Sequence, residues 1–322
     1  HAPGMEHVRE MVTGPIIPTP GAVMECTKLL YEYLGDLIVL DVGGATTDLH
    51  SVTVESDQVA RLMISPEPKA KRTVEGDLGV YVNRWKVVES IGEEKLREQC
   101  REQGFSMEHA LETYRAIPKT EEEVKLVELL TREAVVKAAE RHAGRLRYIY
   151  GPSGRSTVAE GKDLTQVKYI VGTGGALTRL PHREEIMREI TRCNESGMLL
   201  LPGEHAQILV DHDYIMASLG VLSKRYPQAA ARLLEQSLGI TFPERKAEEP
   251  VPVCNKELSR LETQRQQREE ELQRHIEECE AMGYDMSAYR ENKPKAGDCS
   301  HECSRCTRLH CPNRTTQEGA SS

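Results

Sequence analysis

The sequence predicts an α/β fold, and three observations carry that prediction. An apolar run, Leu37-Ile38-Val39-Leu40, turns through Gly43-Gly44 into a second, alternating segment at 49–54, which reads as a β-hairpin. A second apolar run, 167–171, enters Gly172-Thr173-Gly174-Gly175 and then a helical pattern, so strand, glycine turn and helix follow one another. Between them lies a charged, helix-rich stretch over 92–143.

Taken in order, residues 1–20 hold four prolines and read as irregular. A helix over 21–34 is expected from Val23, Thr27, Leu30 and Leu34 near helical spacing. Strands are expected at 37–43, 47–54 and 59–65. Connections this short make them antiparallel neighbours, because parallel strands need a longer crossover. Pro66 and Pro68 then break the sheet, 69–79 reads as a polar connection, and Thr73 or Asp77 is placed to cap a helix through Trp85 to about Ser90. The clearest helix is 121–141, with Val124, Val127, Leu130, Ala134 and Ala138 on one face. A short strand at 148–150 and a turn at 151–154 follow, then the strand 167–171. Helices are expected at 181–193, 213–224 and 227–238, with a strand at 208–210. Asp213 reads as the cap of its helix. Beyond 240 the charged, proline-rich stretch 244–253 marks a boundary, 256–282 a very polar helix, and the Thr/Gln/Gly/Ser end a disordered tail. The domains expected are a connecting segment over 1–36, a lobe over 37–240 with a helical insertion at about 76–143, a linker and polar helix over 241–298, and a Cys-rich tail over 299–322.

Composition narrows the function classes. With 39% hydrophobic and 29% charged residues and a mean hydropathy of -0.51, the chain reads as soluble, and no apolar run reaches the roughly 18 residues of a membrane helix. A net charge of -9, without a basic stretch, argues against a nucleic-acid partner. Nine cysteines in 322 residues do not make a small secreted disulfide scaffold; a reducing cytoplasm is expected. The chain starts with His1 and lacks a basic-then-apolar leader pattern, which suggests a fragment or a processed product.

Three motifs bear chemistry. The hairpin Asp41-Val42-Gly43-Gly44-Ala45-Thr46-Thr47-Asp48 gathers two carboxylates and two hydroxyls at one bend. Glycines let backbone amides approach an anion, and a carboxylate at a strand end suits Mg²⁺, which takes one or two carboxylates plus phosphate and water. Alone, D-x-G-G also recurs as an ordinary turn. Gly172-Thr173-Gly174-Gly175 after a strand lets a nucleoside lie against backbone, although such a turn also serves strand-to-helix packing. It lacks the G-x-G-x-x-G of a dinucleotide fold. Cys299, Cys303, Cys306 and Cys311, four thiols in thirteen residues, suffice for tetrahedral Zn²⁺; an iron–sulfur centre and free thiols are the alternatives.

The pairing of the two glycine motifs resembles the phosphate-2 and adenosine motifs of the actin/Hsp70/sugar-kinase ATPase superfamily. Within it, residues 41–51, Lys71-Arg72-Thr73-Val74-Glu75-Gly76-Asp77-Leu78-Gly79 and 171–178 are similar to the MutL/GlmL family, accessory proteins of adenosylcobalamin-dependent glutamate mutase. The resemblance covers about 35–240 and is to the C-terminal half of the family, since 1–36 holds no early D-x-G-x-T hairpin. It implies a ribonuclease-H-like lobe with a mixed sheet, binding ATP or ADP with Mg²⁺, in a chaperone that reactivates a cobalamin-dependent mutase. Asp41 would then organise Mg²⁺ and water, Gly43, Gly44, Thr46 and Thr47 cradle phosphate, and Asp48 orient the loop or metal shell. Gly172, Thr173, Gly174 and Gly175 would contact adenosine, and Glu75 reach the nucleotide from a helix start. Hydrolysis is expected only where the missing lobe completes the cleft. A small-molecule kinase fragment and a non-catalytic metal-binding scaffold are the competing readings.

Overall fold

The computed structural model describes residues 16–151, 154–194 and 196–243, together with Gln273, Arg274 and Glu277. The expected polar helix at 256–282, apart from those three residues, and the cysteine cluster with Cys299, Cys303, Cys306 and Cys311 lie outside the described residues.

A helix, α1 (Thr19–Leu34), leads into strands β1 (Leu37–Val42) and β2 (Thr47–Val52). These pair antiparallel, Leu37 opposite Val52 and Asp41 opposite Asp48, as the two apolar runs require. The expected third strand at 59–65 does not form. Ser56 accepts a hydrogen bond from the Val59 amide at 3.2 Å and caps a single helical turn, α2 (Asp57–Ala60). The third strand is instead β3 (Ala70–Glu75), inside the segment expected to be a polar connection, and it pairs antiparallel with β2. It is an edge strand with partly exposed side chains, so polar residues are tolerated along it and its alternation is weak. Buried Lys162 donates to the carbonyls of Thr53 at 2.9 Å and Pro68 at 2.8 Å, which pins both ends of the excursion between β2 and β3.

The insertion is helical as expected. The helix placed after Thr73 or Asp77 starts later, because β3 occupies that stretch: α3 is Arg84–Ile91, followed by α4 (Glu93–Glu102), α5 (Met107–Glu112) and α6 (Glu121–His142). A reciprocal capping box of Thr120 and Glu123 starts α6. The short strand expected at 148–150 is part of a separate two-stranded hairpin, β4 (Arg145–Gly151) and β5 (Gly154–Glu160). The main sheet resumes with β6 (Tyr169–Thr173), and α7 (Gly174–Arg179) begins at the next residue. The helix expected over 181–193 divides into α8 (Arg183–Arg188) and a 3-10 turn at Glu189–Thr191. Strand β7 (Gln207–Val210), α9 (Met216–Ser223) and α10 (Pro227–Leu238) complete the unit.

The main sheet is mixed, in the order β3-β2-β1-β6-β7, with β6 parallel to both β1 and β7. Alternate residues of β1 face opposite layers. Ile38, Leu40 and Val42 pack with α6, α7 and α8, whereas Leu37 and Val39 pack with α1, α9 and α10. The sheet is therefore covered on both faces, and its C-terminal strand ends are where loops can gather polar groups. Among the described residues no helix is long and apolar enough to cross a membrane.

Candidate functional site

Parallel pairing of β1 with β6 sets Asp41 beside Thr173, and antiparallel pairing with β2 sets Asp41 beside Asp48. Side chains in register share a face, so Asp48, Asp41 and Thr173 form one row at the end of the sheet. Asp211, which follows β7, extends it: Thr173 Oγ1 donates to Asp211 Oδ2 at 2.8 Å. Asp211 also accepts from Ser237 Oγ at 2.6 Å and from the amides of Ile215 and Met216. It is Asp211, not Asp213, whose side chain caps α9.

The two glycine bends meet here. Gly174 has φ +84°, and a Cβ built on it would lie 2.5 Å from Asp41 Oδ1 and 2.6 Å from the Val42 amide nitrogen. Only glycine allows this left-handed turn to press against the end of β1. The hairpin closes with the Gly43 amide donating to the Thr46 carbonyl at 2.9 Å. Among the described residues no backbone carbonyl accepts from the amides of Gly44, Ala45 or Thr46, so three successive donors are available to an anion. The Gly43 and Gly44 carbonyls accept from the amides of Val80, Tyr81 and Val82, fastening the 78–82 loop onto the hairpin.

A cleft of about 420 Å³ opens at this junction. Gly43 and Gly44 line one side, and Gly175, Arg179 and Tyr214 another. The insertion supplies an apolar wall that includes Tyr114, Ile117, Val124 and Val127. Tyr81 and Tyr114 stack with ring centroids 6.0 Å apart, and the Tyr114 hydroxyl donates to the Val80 carbonyl. One end of the cleft is thus polar and rich in backbone, the other apolar and aromatic, which suits a ligand with a charged head and a flat ring.

The carboxylates at the strand ends crowd one another. Burial pushes the Asp41 carboxyl up to about 6, with Asp48 and Asp211 adding to the effect. Burial also raises Asp48, and Glu75 adds to it, while the Thr46 hydroxyl and Arg72 act the other way. Asp48 Oδ1 is buried without a hydrogen-bond partner. Among the described residues no three His, Cys, Asp or Glu side chains are grouped as a complete metal cage. An adjacent carboxylate pair with one orphan oxygen fits a cation that brings its own waters and phosphate oxygens, as Mg²⁺ does.

The remaining expected residues fall into two groups. Thr46, Gly175 and Thr173 sit at the junction described above. Thr47 donates to the Leu78 carbonyl at 2.8 Å and is fully buried, so its hydroxyl holds the 78–82 loop. Gly172 lies one residue back in β6, where an added Cβ would meet Met187 Sδ at 2.6 Å; its smallness serves packing. Glu75 ends a strand, not the start of a helix, and accepts from Arg141 Nη1 at 2.6 Å. Sequence reasoning noted that Asp211-His212-Asp213 follows a strand and could touch a ligand, but gave the cap to Asp213; it passed over Tyr81, Tyr114, Arg179 and Tyr214. For Asp211 a signal existed: an apolar strand ending in aspartate, the same pattern as β1. The aromatic wall had none, since it depends on how the insertion folds back.

A family model described as MutL protein matches residues 1–238. The chain is also similar to Protein MutL of Clostridium tetanomorphum, 34% identical over 249 residues, taking in 74% of this chain and 54% of that one. It therefore spans about half the length of that curated relative. Since the matched stretch contains the whole sheet and both glycine bends, the chain belongs to the MutL protein family.

Proposed function

We propose that residues 37–240 form an actin/Hsp70-type, ribonuclease-H-like lobe that binds ATP or ADP with Mg²⁺. In this reading it serves a cytoplasmic chaperone that reactivates an adenosylcobalamin-dependent mutase such as glutamate mutase. The single observation that carries the nucleotide reading is that Gly43 and Gly44 of one bend and Gly175 of the other, far apart in the chain, border one cleft. The order of elements supports it too: three antiparallel strands, a helical insertion, then two parallel strands with a glycine turn into a helix.

In this reading Asp41 and Asp48 hold the cation, the amides of Gly44, Ala45 and Thr46 donate to phosphate oxygens, and the aromatic wall keeps water from the base. Bound Mg²⁺ would offset the negative charge of phosphates and carboxylates alike. The hairpin is bonded to the 78–82 loop, and that loop to Tyr114 of the insertion. A change in phosphate occupancy therefore has a mechanical route into the helices of the insertion. Hydrolysis would need a second lobe to close over the phosphates. Zn²⁺ on Cys299, Cys303, Cys306 and Cys311 is a separate proposal, resting on their spacing.

Titration with a fluorescent ATP analogue and Mg²⁺ tests the nucleotide reading. Wild-type chain is expected to bind, and Asp41→Ala to lose about tenfold or more in affinity. Absence of wild-type binding at millimolar nucleotide would sink it. The chaperone role is checked by association with purified glutamate mutase in ATP and in ADP; an association indifferent to nucleotide counts against it.

A further inference from the structure

Tyr214 stands in the loop between β7 and α9 with φ +54°, the one non-glycine residue with a positive φ among the described residues. A bulky aromatic side chain in the left-handed region is strained, and such strain persists only where surrounding contacts impose it. Those contacts are present. The Tyr214 amide donates to the Asp211 carbonyl at 3.2 Å, the His212 amide to the Ser237 carbonyl, and the Asp213 amide to Ser237 Oγ. The next two amides, of Ile215 and Met216, are held by the Asp211 carboxylate. Five successive amides are thus fastened around one exposed tyrosine.

Its side chain is not packed into the core: Tyr214 is 53% exposed and lines the cleft. Along the strand ends of β1, β6 and β7 the chain presents in turn the hairpin 43–46, the turn at 174–175 and Tyr214. Tyr214 therefore flanks the glycine turn on the side away from the hairpin. Partial burial raises the pKa of the phenol, Asp41 and Asp211 add to it, and Arg179 acts the other way. It remains a neutral donor at physiological pH.

We propose that the Tyr214 hydroxyl donates a hydrogen bond to a phosphate oxygen of the bound nucleotide, completing the phosphate cradle from the β7 side, and that the left-handed backbone at this position is maintained for that contact. The proposal rests on the nucleotide reading above and adds a specificity residue to it. A neutral hydroxyl donor in the cleft wall can serve a phosphate oxygen, whereas a carboxylate there would repel it.

The test compares Tyr214→Phe and Tyr214→Gly with wild type, measuring affinity for Mg-ATP, Mg-ADP and adenosine by calorimetry and the thermal midpoint without ligand. Tyr214→Phe keeps the ring and is expected to lose about tenfold in affinity for ATP and ADP with adenosine unchanged. Tyr214→Gly is expected to melt no lower than wild type, because glycine adopts this backbone freely, and yet to bind ATP and ADP as weakly as the Phe variant. Equal ATP affinity in all three proteins overturns the inference and leaves the nucleotide reading standing. A parallel loss for adenosine overturns the assignment to phosphate. If wild type itself binds no nucleotide, both readings fall together.

Discussion

Asp41 shows how a single residue holds both a cost and a function. Its carboxyl is pushed up to about 6 by burial and by neighbouring Asp48 and Asp211. A carboxyl whose folded pKa lies above its unfolded value contributes stability fully present below about pH 4 and lost as pH rises through 6. At pH 7 the ionised group therefore destabilises the empty lobe, by roughly 2–3 kcal/mol. Asp41→Asn removes that charge and is expected to raise the urea midpoint at pH 7, while leaving it nearly unchanged near pH 4. The same variant should lose Mg-nucleotide affinity, the trade-off expected of a binding group held in strain. Identical urea midpoints for variant and wild type at pH 7 would remove the electrostatic basis of the site. The role of Asp41 as a strand-end carboxylate was legible from Leu37-Ile38-Val39-Leu40-Asp41 alone. For Asp211 the strand-end position was legible but its capping role was not, because its four hydrogen bonds come from Thr173, Ser237, Ile215 and Met216, on three other elements and its own loop.

At the scale of elements, the turn from β6 into α7 is the tightest joint. Gly174→Ala would place a methyl 2.5 Å from Asp41 Oδ1 on a backbone with φ +84°. Overpacking and left-handed strain together predict a loss of about 2–4 kcal/mol, measurable by chemical denaturation. Alanine at Thr120 breaks the capping box of α6 and should cost about 1 kcal/mol, read by the same method. It should also weaken nucleotide binding slightly, since Val124 and Val127 of that first turn and the next line the cleft. Elements with strong local signals were legible: β1, β2, α1, α6 and α10 all lie close to where hydrophobic periodicity puts them. Strands β3 and β5 were not. The first is a half-exposed edge strand and the second belongs to a hairpin with mostly exposed faces, so neither shows the apolar alternation that marks a buried strand.

For the molecule as a whole, a ligand that binds only the folded lobe must stabilise it. At nucleotide a hundredfold above Kd the gain is about 2.7 kcal/mol, a rise in Tm of roughly 5–10 °C for a unit of this size. Hydrogen exchange should show that protection concentrated at 43–46, 78–82, 114–118 and 174–179, the segments that border the cleft or brace it. Protection spread evenly over β4 and β5 would point to a different site. Exposed Tyr148, Ile149 and Tyr150 on that hairpin are remote in the topology from the strand ends that carry Asp41.

What the sequence by itself determined is local: apolar runs that must be strands, glycines that must be bends, and an apolar stripe over 121–141 that must be a helix, each set by residues close in the chain. It also determined which chemistry each bend could support. Only the tertiary structure decided that β1 and β6 lie side by side, and that Asp41, Asp48, Thr173 and Asp211 fall in one row. Only the folded chain turns the aromatic residues of the insertion into the wall of that cleft. The reason is physical: strand pairing and layer packing are settled by burying distant apolar faces against each other, and no window of neighbouring residues contains that information.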